Sequence, residues 1–134
     1  MSSNDTLNPE ELFGSSGLVL AGSLDSRETL ARDVSQRFPL KPFCLVEQWT
    51  IFRADLTPGE IAKVHAANHL PLFVHAHKVV EDSRGRYQAG DWVRSSMCIS
   101  FDEEVMFETK NTVYVLMGPG HEQLASLRTI FSFF

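Results

Sequence analysis

The sequence predicts an α+β protein: an antiparallel meander, or a small bent barrel, of about five strands, with a capped helix after the first strand and flanking terminal helices. Segments rich in β-branched and aromatic residues recur at short, regular spacing, and small polar turns separate them. A Thr-Pro-Gly-Glu box after the first segment marks the capped helix. The length of 134 residues and the hydrophobic fraction of 43% fit one globular domain.

The domain organisation follows from composition. Residues 1–8 are small and polar, so we expect a flexible N-terminus, and residues 9–134 form the single α+β domain. The N-terminus lacks a basic region, and the apolar run from Leu18 to Ala21 is too short for a signal peptide or a membrane span. The sequence therefore predicts a cytoplasmic protein that does not interact with membranes.

Two helices are predicted before the first strand. Asn8 followed by Pro9 is typical of the start of a short helix. Asp25 is predicted to cap a second helix, with Glu28 three residues later as its capping-box partner. Pro39 ends this second helix.

The strands follow in order along the chain. The stretch 43–53 predicts a long central strand, whose residues Phe43, Leu45, Trp49 and Ile51 are expected to share one face. After it, Thr57 and the three residues that follow predict the capped helix. The remaining strands are predicted in these segments: LFVHAHKVVED, WVRSSMCISF, VMFET and TVYVLM.

The C-terminal tail is predicted to be a closing helix. Four apolar residues of HEQLASLRTIFSFF lie on one helical stripe: Leu124, Leu127, Ile130 and Phe131. Phe133 and Phe134 then either pack on the core or remain available to a partner.

Charge and cysteine content narrow the function classes. A net charge of −5 disfavours nucleic-acid binding, because such binding depends on neutralising phosphates with Lys and Arg. A basic group is the local exception, although such charges usually form a solvated face: Lys78, Arg84, Arg86 and Arg94. Cys44 and Cys98 lie in apolar strands without a metal-ligand spacing, which favours buried reduced thiols over a disulfide or a metal site.

His75 and His77 are the weak candidates for a metal or catalytic site. Side chains two residues apart on a strand point to the same face, with Cα atoms about 7 Å apart. Zinc needs further ligands, and the other histidines show no known ligand spacing. A polar strand face is therefore favoured over a metal site, and no cofactor is predicted.

Two further features have mainly structural interpretations. Gly118, Pro119 and Gly120 are read as a turn between a strand and a helix, where the alternative is a phosphate loop at the helix N-terminus. Ser95 and Ser96 carry hydroxyls, but no nucleophile elbow surrounds them, so no catalytic residue is assigned.

The stretch from Gly90 to Gly120 combines three motifs that resemble those of a known family. It contains GDWVRSS, then TKNTVYVL and a GPG turn, and in this it is similar to small uncharacterised bacterial and prophage proteins classed as a domain of unknown function. The similarity extends back to about Phe43. It implies no established activity, and it suggests a prophage-encoded accessory role directed at a host factor.

The functional prediction is a non-enzymatic accessory protein that binds another protein, with a homodimer as one form of complex. Aromatic residues exceed what one small core requires, and aromatics are the usual anchors of interfaces. The predicted interaction surface comprises Tyr87, Trp92, Arg84, Arg86, Phe133 and Phe134. The alternative is a small metal-dependent hydrolase or phosphoesterase that uses His75 and His77, and nucleotide recognition by the arginines ranks last.

Overall fold

The computed structural model describes residues 18–132. The predicted N-terminal helix and flexible residues 1–8, as well as Phe133 and Phe134, lie outside this range. The described strands are β1 (Leu18–Leu20), β2 (Phe43–Ala54), β3 (Leu72–Asp82), β4 (Val93–Arg94), β5 (Cys98–Asp102), β6 (Met106–Thr109), β7 (Val113–Leu116) and β8 (Gly120–Ala125). The described helices are α1 (Arg27–Arg37), α2 (Pro58–Ala66) and α3 (Leu127–Ile130). Within residues 18–132, no helix is long and apolar enough to cross a lipid bilayer.

The eight strands form one sheet with β2 at its centre. Along one edge β2 pairs antiparallel with β3, and along the other its first half runs parallel to β7 and its second half parallel to β8. The α+β class is confirmed. The predicted antiparallel meander is wrong, whereas the predicted bent barrel is closer to the curled sheet observed, although eight strands are described and not about five. The sheet is mixed because the chain returns beside β2 in the same direction after β6.

The sheet curls around the main core to form an open half-barrel. Trp49, Phe107 and Leu116 are fully buried inside the curl, and they come from three different strands. Two helices cover parts of the outer face. Leu30 and Val34 of α1 pack over β2, β6 and β7, whereas α3 packs over the far end of β2 and the start of β3.

Local capping signals define α1 and α2. In α2 the predicted box is present: the backbone N–H of Glu60 donates to the Thr57 hydroxyl at 3.2 Å, and the N–H of Thr57 donates to the Glu60 carboxylate at 2.8 Å. In α1 the N-cap is Ser26, whose hydroxyl accepts from the Thr29 N–H at 3.2 Å, so the predicted cap at Asp25 is wrong by one residue.

The first part of the C-terminal tail is a strand, so the predicted closing helix is wrong there. Residues 120–125 form β8 between β1 and β2, and only four residues after the Ser126 cap are helical. Pairing with β2 provides partners for backbone groups that a helix would satisfy internally. The apolar stripe predicted for a helix is therefore divided between two elements, and Leu124 is exposed.

A break in the pleat interrupts the centre of the sheet. Val46 and Trp49 both face the inner core, so the inward positions of β2 change from even to odd numbers around Gln48, which has φ 56°. On β3, Ala76 and Val79 both face the same core, so the same change occurs there. The prediction that Leu45 shares a face with Trp49 is therefore wrong, because Leu45 packs against α1 outside.

Candidate functional site

A polar row crosses the outer face of the sheet between α1 and α3. The register pairs Arg94 with His75, His75 with Thr50, and Thr50 with His121. Directly paired residues project to the same face, so four strands contribute one side chain each to this row. Thr50 and His75 are buried even though neither faces the inner core.

His75 lies beneath two other rings. Its imidazole stacks on the Trp92 indole with centroids 5.7 Å apart and an interplanar angle of 16°, and it meets the His77 ring edge-on at 5.0 Å. The side chain is only 4% exposed. Burial, followed by the nearby His77 and Arg94, lowers the pKa of His75 to about 4. The imidazole is therefore neutral at physiological pH.

Exposed aromatic side chains continue from this stack to α3. Trp92 is 47% exposed and Phe131 is 41% exposed. The Arg94 guanidinium lies 4.7 Å from the centroid of the Phe131 ring, and Phe131 meets Phe73 edge-on at 5.2 Å. We define the aromatic surface as Trp92, His77, Arg94 and Phe131.

The other predicted surface residues lie at the opposite end of β3. Arg86 donates two bonds to the two carboxylate oxygens of Asp82, at 3.0 and 2.7 Å, and a third to the Thr112 hydroxyl at 2.9 Å. Its guanidinium also lies over the ring of Tyr87, which packs partly buried against the inner core. Arg84 is exposed on the adjoining turn. The structure thus brings Trp92 together with the histidine pair, but it does not bring Arg84, Arg86 or Tyr87 to that surface.

The structure also shows the surroundings of the predicted metal, cysteine and serine candidates. Within residues 18–132, no group of three or more His, Cys, Asp or Glu side chains is arranged to hold a metal ion. Both cysteines are buried and free, as predicted, and desolvation raises the pKa of each thiol to about 12. Ser95 is buried, accepting from the Val74 N–H at 2.9 Å and donating to the Ser96 carbonyl at 2.7 Å.

The GPG turn joins two strands, so the predicted helix N-terminus after it is absent. The Trp49 indole N–H donates to the carbonyls of Met117 and Gly118, both at 3.2 Å. Gly118 has φ 68°, and a Cβ at Gly120 would lie 2.3 Å from the indole ring. The glycines therefore serve the packing of Trp49, and the phosphate-loop alternative lacks its helix dipole.

Residues 21–132 match the model of a family described as Domain of unknown function (DUF6957). The chain belongs to this family. The expected membership of an uncharacterised family is confirmed, and the matched region includes all of Gly90–Gly120. No curated protein and no solved structure was found to match the chain.

The sequence did not place three residues at this part of the sheet: Thr50 and His121 of the polar row, and Phe131 of the aromatic surface. Thr50 and His121 join the histidine pair only through the pairing of β2 with β3 and β8, and Phe131 reaches Arg94 only through the position of α3. Local patterns hold no signal for contacts between such distant segments. The spacing of His75 and His77, by contrast, is local and predicted their adjacency correctly.

Proposed function

We propose that the protein acts in the cytoplasm by binding another protein through the aromatic surface. The supporting observation is Trp92, a large aromatic side chain that is 47% exposed while its indole lies nearly parallel to a buried imidazole. Tryptophan and arginine are the side chains most enriched at the energetic centres of interfaces. Trp92 and Arg94 lie two residues apart, on either side of Val93, which packs in the core.

The arrangement is already ordered before a partner binds. The Trp92 ring is supported by His75, and the guanidinium of Arg94 is held over Phe131 and bonded to the Ser95 carbonyl at 3.2 Å. Immobilising a flexible side chain in an interface costs about 0.5–1.5 kcal/mol, so side chains held in place beforehand lose less on binding. This order favours a surface used for recognition.

Charge indicates the kind of partner. The aromatic surface contains one arginine and one histidine and no carboxylate, although the whole chain carries a net charge of −5. The complementary partner is a different protein whose docking segment combines apolar with acidic side chains. The resemblance to prophage-encoded proteins suggests a host factor. A second copy of this protein would present the same surface, whose defined residues include no carboxylate to pair with Arg94, so a homodimer through it is disfavoured.

Paired capture experiments test the proposal. Tagged wild-type protein and a Trp92→Ser variant are used to isolate partners from host extract, and Leu24→Ser serves as the matched control because Leu24 is 92% exposed outside the aromatic surface. A candidate is then purified and its affinity measured with each protein. We expect binding at least about tenfold weaker for Trp92→Ser, equivalent to about 1.4 kcal/mol, and unchanged for Leu24→Ser.

Light scattering on the isolated wild type and on each variant measures their oligomeric states. Equal affinity of the wild type and Trp92→Ser for the purified partner would contradict the proposal. So would a wild-type dimer that dissociates in Trp92→Ser, because the surface would then bind a second copy.

The alternative function, a metal-dependent hydrolase or phosphoesterase, is supported by the 5.0 Å separation of the His75 and His77 rings. The burial of His75 leaves little room for a metal ion between them. Metal analysis of protein purified without an affinity tag tests this alternative. Stoichiometric zinc or manganese that is lost in His75→Ala would favour the hydrolase over the binding protein.

A further inference from the structure

We propose that the cleft at the pleat break binds a small oxyanion, namely a phosphate or carboxylate group. The cleft has a volume of about 320 Å³, and Thr50 and His121 of the polar row line it together with the inward-facing Trp49. Its lining includes Gln48, Thr50, His77, Pro119, Gly120 and His121. This site is separate from the aromatic surface, except that His77 borders both, and the inference does not rest on the proposed protein binding.

The cleft is formed by the backbone and is therefore present before any ligand binds. Gln48 adopts φ 56° in the middle of a central strand, a conformation that non-glycine residues rarely adopt and that is often found at functional sites. Opposite it, the segment between β7 and β8 is fixed by the two hydrogen bonds from the Trp49 indole. Irregularities of this kind redirect side chains and commonly lie beside binding sites.

The side chains in the cleft favour an anion. His77 and His121 contribute imidazoles from two different strands, and Thr50 and Gln48 contribute a hydroxyl and an amide that can donate hydrogen bonds. An imidazole ring always carries at least one N–H group, so each of these rings can donate a hydrogen bond to an oxyanion.

Among the described residues that line the cleft, none carries a carboxylate that would repel the ligand. Glu47 is the acidic neighbour on the outer face, and Lys78 lies within 3.3 Å of its carboxylate. Glu122, next to His121 in sequence, pairs in register with the inward-facing Ile51 and forms an ion pair with Arg53 at 3.2 Å. Each of these two carboxylates is paired with a cationic side chain, which reduces its repulsion of an oxyanion. The hydrogen-bond donors available to an oxyanion in the cleft are the imidazoles, the Thr50 hydroxyl and the Gln48 amide.

The volume limits the size of the ligand. Pockets for small molecules measure about 300–1,000 Å³, so this cleft is at the lower end of that range. It fits a free anion or the anionic end of a larger molecule. Phosphate and carboxylate groups share the ability to accept several hydrogen bonds at once.

Amide chemical shifts measured by NMR test this proposal. Inorganic phosphate and sodium acetate are titrated separately at constant ionic strength into the full-length protein, and chloride serves as the reference anion. We expect saturable shifts at Thr50, Gly120 and His121. The apparent dissociation constant should rise about tenfold in His77→Ala and in His121→Ala, in line with the loss of one charge-assisted hydrogen bond.

His65→Ala is the matched control, because His65 is exposed on α2 outside the cleft. Its affinity for the probe should equal that of the wild type, and melting curves confirm that each variant is folded. Saturation by phosphate alone assigns the site to phosphate groups, saturation by acetate alone to carboxylates, and saturation by both to small oxyanions in general. Shifts that do not saturate, or that persist unchanged in both cleft variants, would overturn the proposal.

Discussion

Replacing Gly120 with alanine should destabilise the protein strongly, even though the backbone conformation of Gly120 is open to any residue. The added Cβ would lie 2.3–2.5 Å from three atoms of the Trp49 ring, whereas carbon atoms in contact prefer about 3.5–4.0 Å. The ring cannot move aside easily, because it is 1% exposed and makes two hydrogen bonds to the GPG turn. Overpacking costs about 1–3 kcal/mol, and weakening the two hydrogen bonds adds about 1 kcal/mol, so we expect a loss of about 3 kcal/mol.

Urea denaturation measures this loss, and Gly59→Ala provides a control with the opposite expected sign. Gly59 lies in the first turn of α2, and a Cβ there meets no atom within 4 Å. Alanine should therefore stabilise the helix by up to about 1 kcal/mol. If the clash is the cause, Gly120→Ala should cost clearly less in a Trp49→Leu background than in the wild type. A loss below about 1 kcal/mol for the single variant would refute the packing argument.

Three other predictions concern stability. Because the pKa of His75 is about 4 in the folded protein and about 6.5 in an unfolded chain, only the unfolded chain binds this proton between those values. Stability should therefore fall by up to about 3 kcal/mol as the pH falls through this window, and His75→Phe should lose less, as measured by urea denaturation at pH 7 and at about pH 4.5. Arg86→Gln removes both bonds to the fully buried Asp82 side chain and should cost about 2 kcal/mol at pH 7, a figure reduced because the guanidinium is partly exposed. Burial by itself would raise the pKa of Asp82, but hydrogen bonds from Arg86 outweigh it and lower the pKa. This stabilisation is therefore present above about pH 4 and is lost as the pH falls through the lowered pKa, and an Arg86→Gln variant as stable as the wild type at pH 7 would contradict the assignment. Thr57→Ala should cost about 1 kcal/mol through loss of the α2 cap, and an unchanged urea midpoint would show that the cap does not contribute.

Elements specified by neighbouring residues could be predicted from the sequence. The box at Thr57 and Glu60 fixes the start of α2 because both hydrogen bonds lie within one turn. The long strands β2 and β3 follow from runs of β-branched and aromatic side chains. The break at Gln48 could not be predicted, because glutamine carries no local signal for a positive φ.

The tail and the site show the limit of such reasoning. The tail has an apolar stripe compatible with a helix at Leu124, Leu127 and Ile130, but residues 120–125 form a strand because β2 offers a free edge there. The same parallel pairing places His121 beside Thr50, so this part of the site could be predicted only by knowing the strand order. The contact of Arg94 with Phe131 similarly depends on where α3 packs.

The position of β2 has a consequence for how the chain folds during synthesis. Its first half pairs with β7 and its second half with β8, and both partners lie about 70 residues later in the sequence, since Phe43 pairs with Val113 and Thr50 with His121. Contacts between such distant segments form late and slow the search for the native state. On the ribosome, Phe52 and the other apolar residues of β2 emerge well before their parallel partners exist. The antiparallel pairing with β3 is then the only strand contact of β2, among those in residues 18–132, that can form early. Until β8 has left the exit tunnel, the nascent chain exposes an edge of β2 that can pair with another chain.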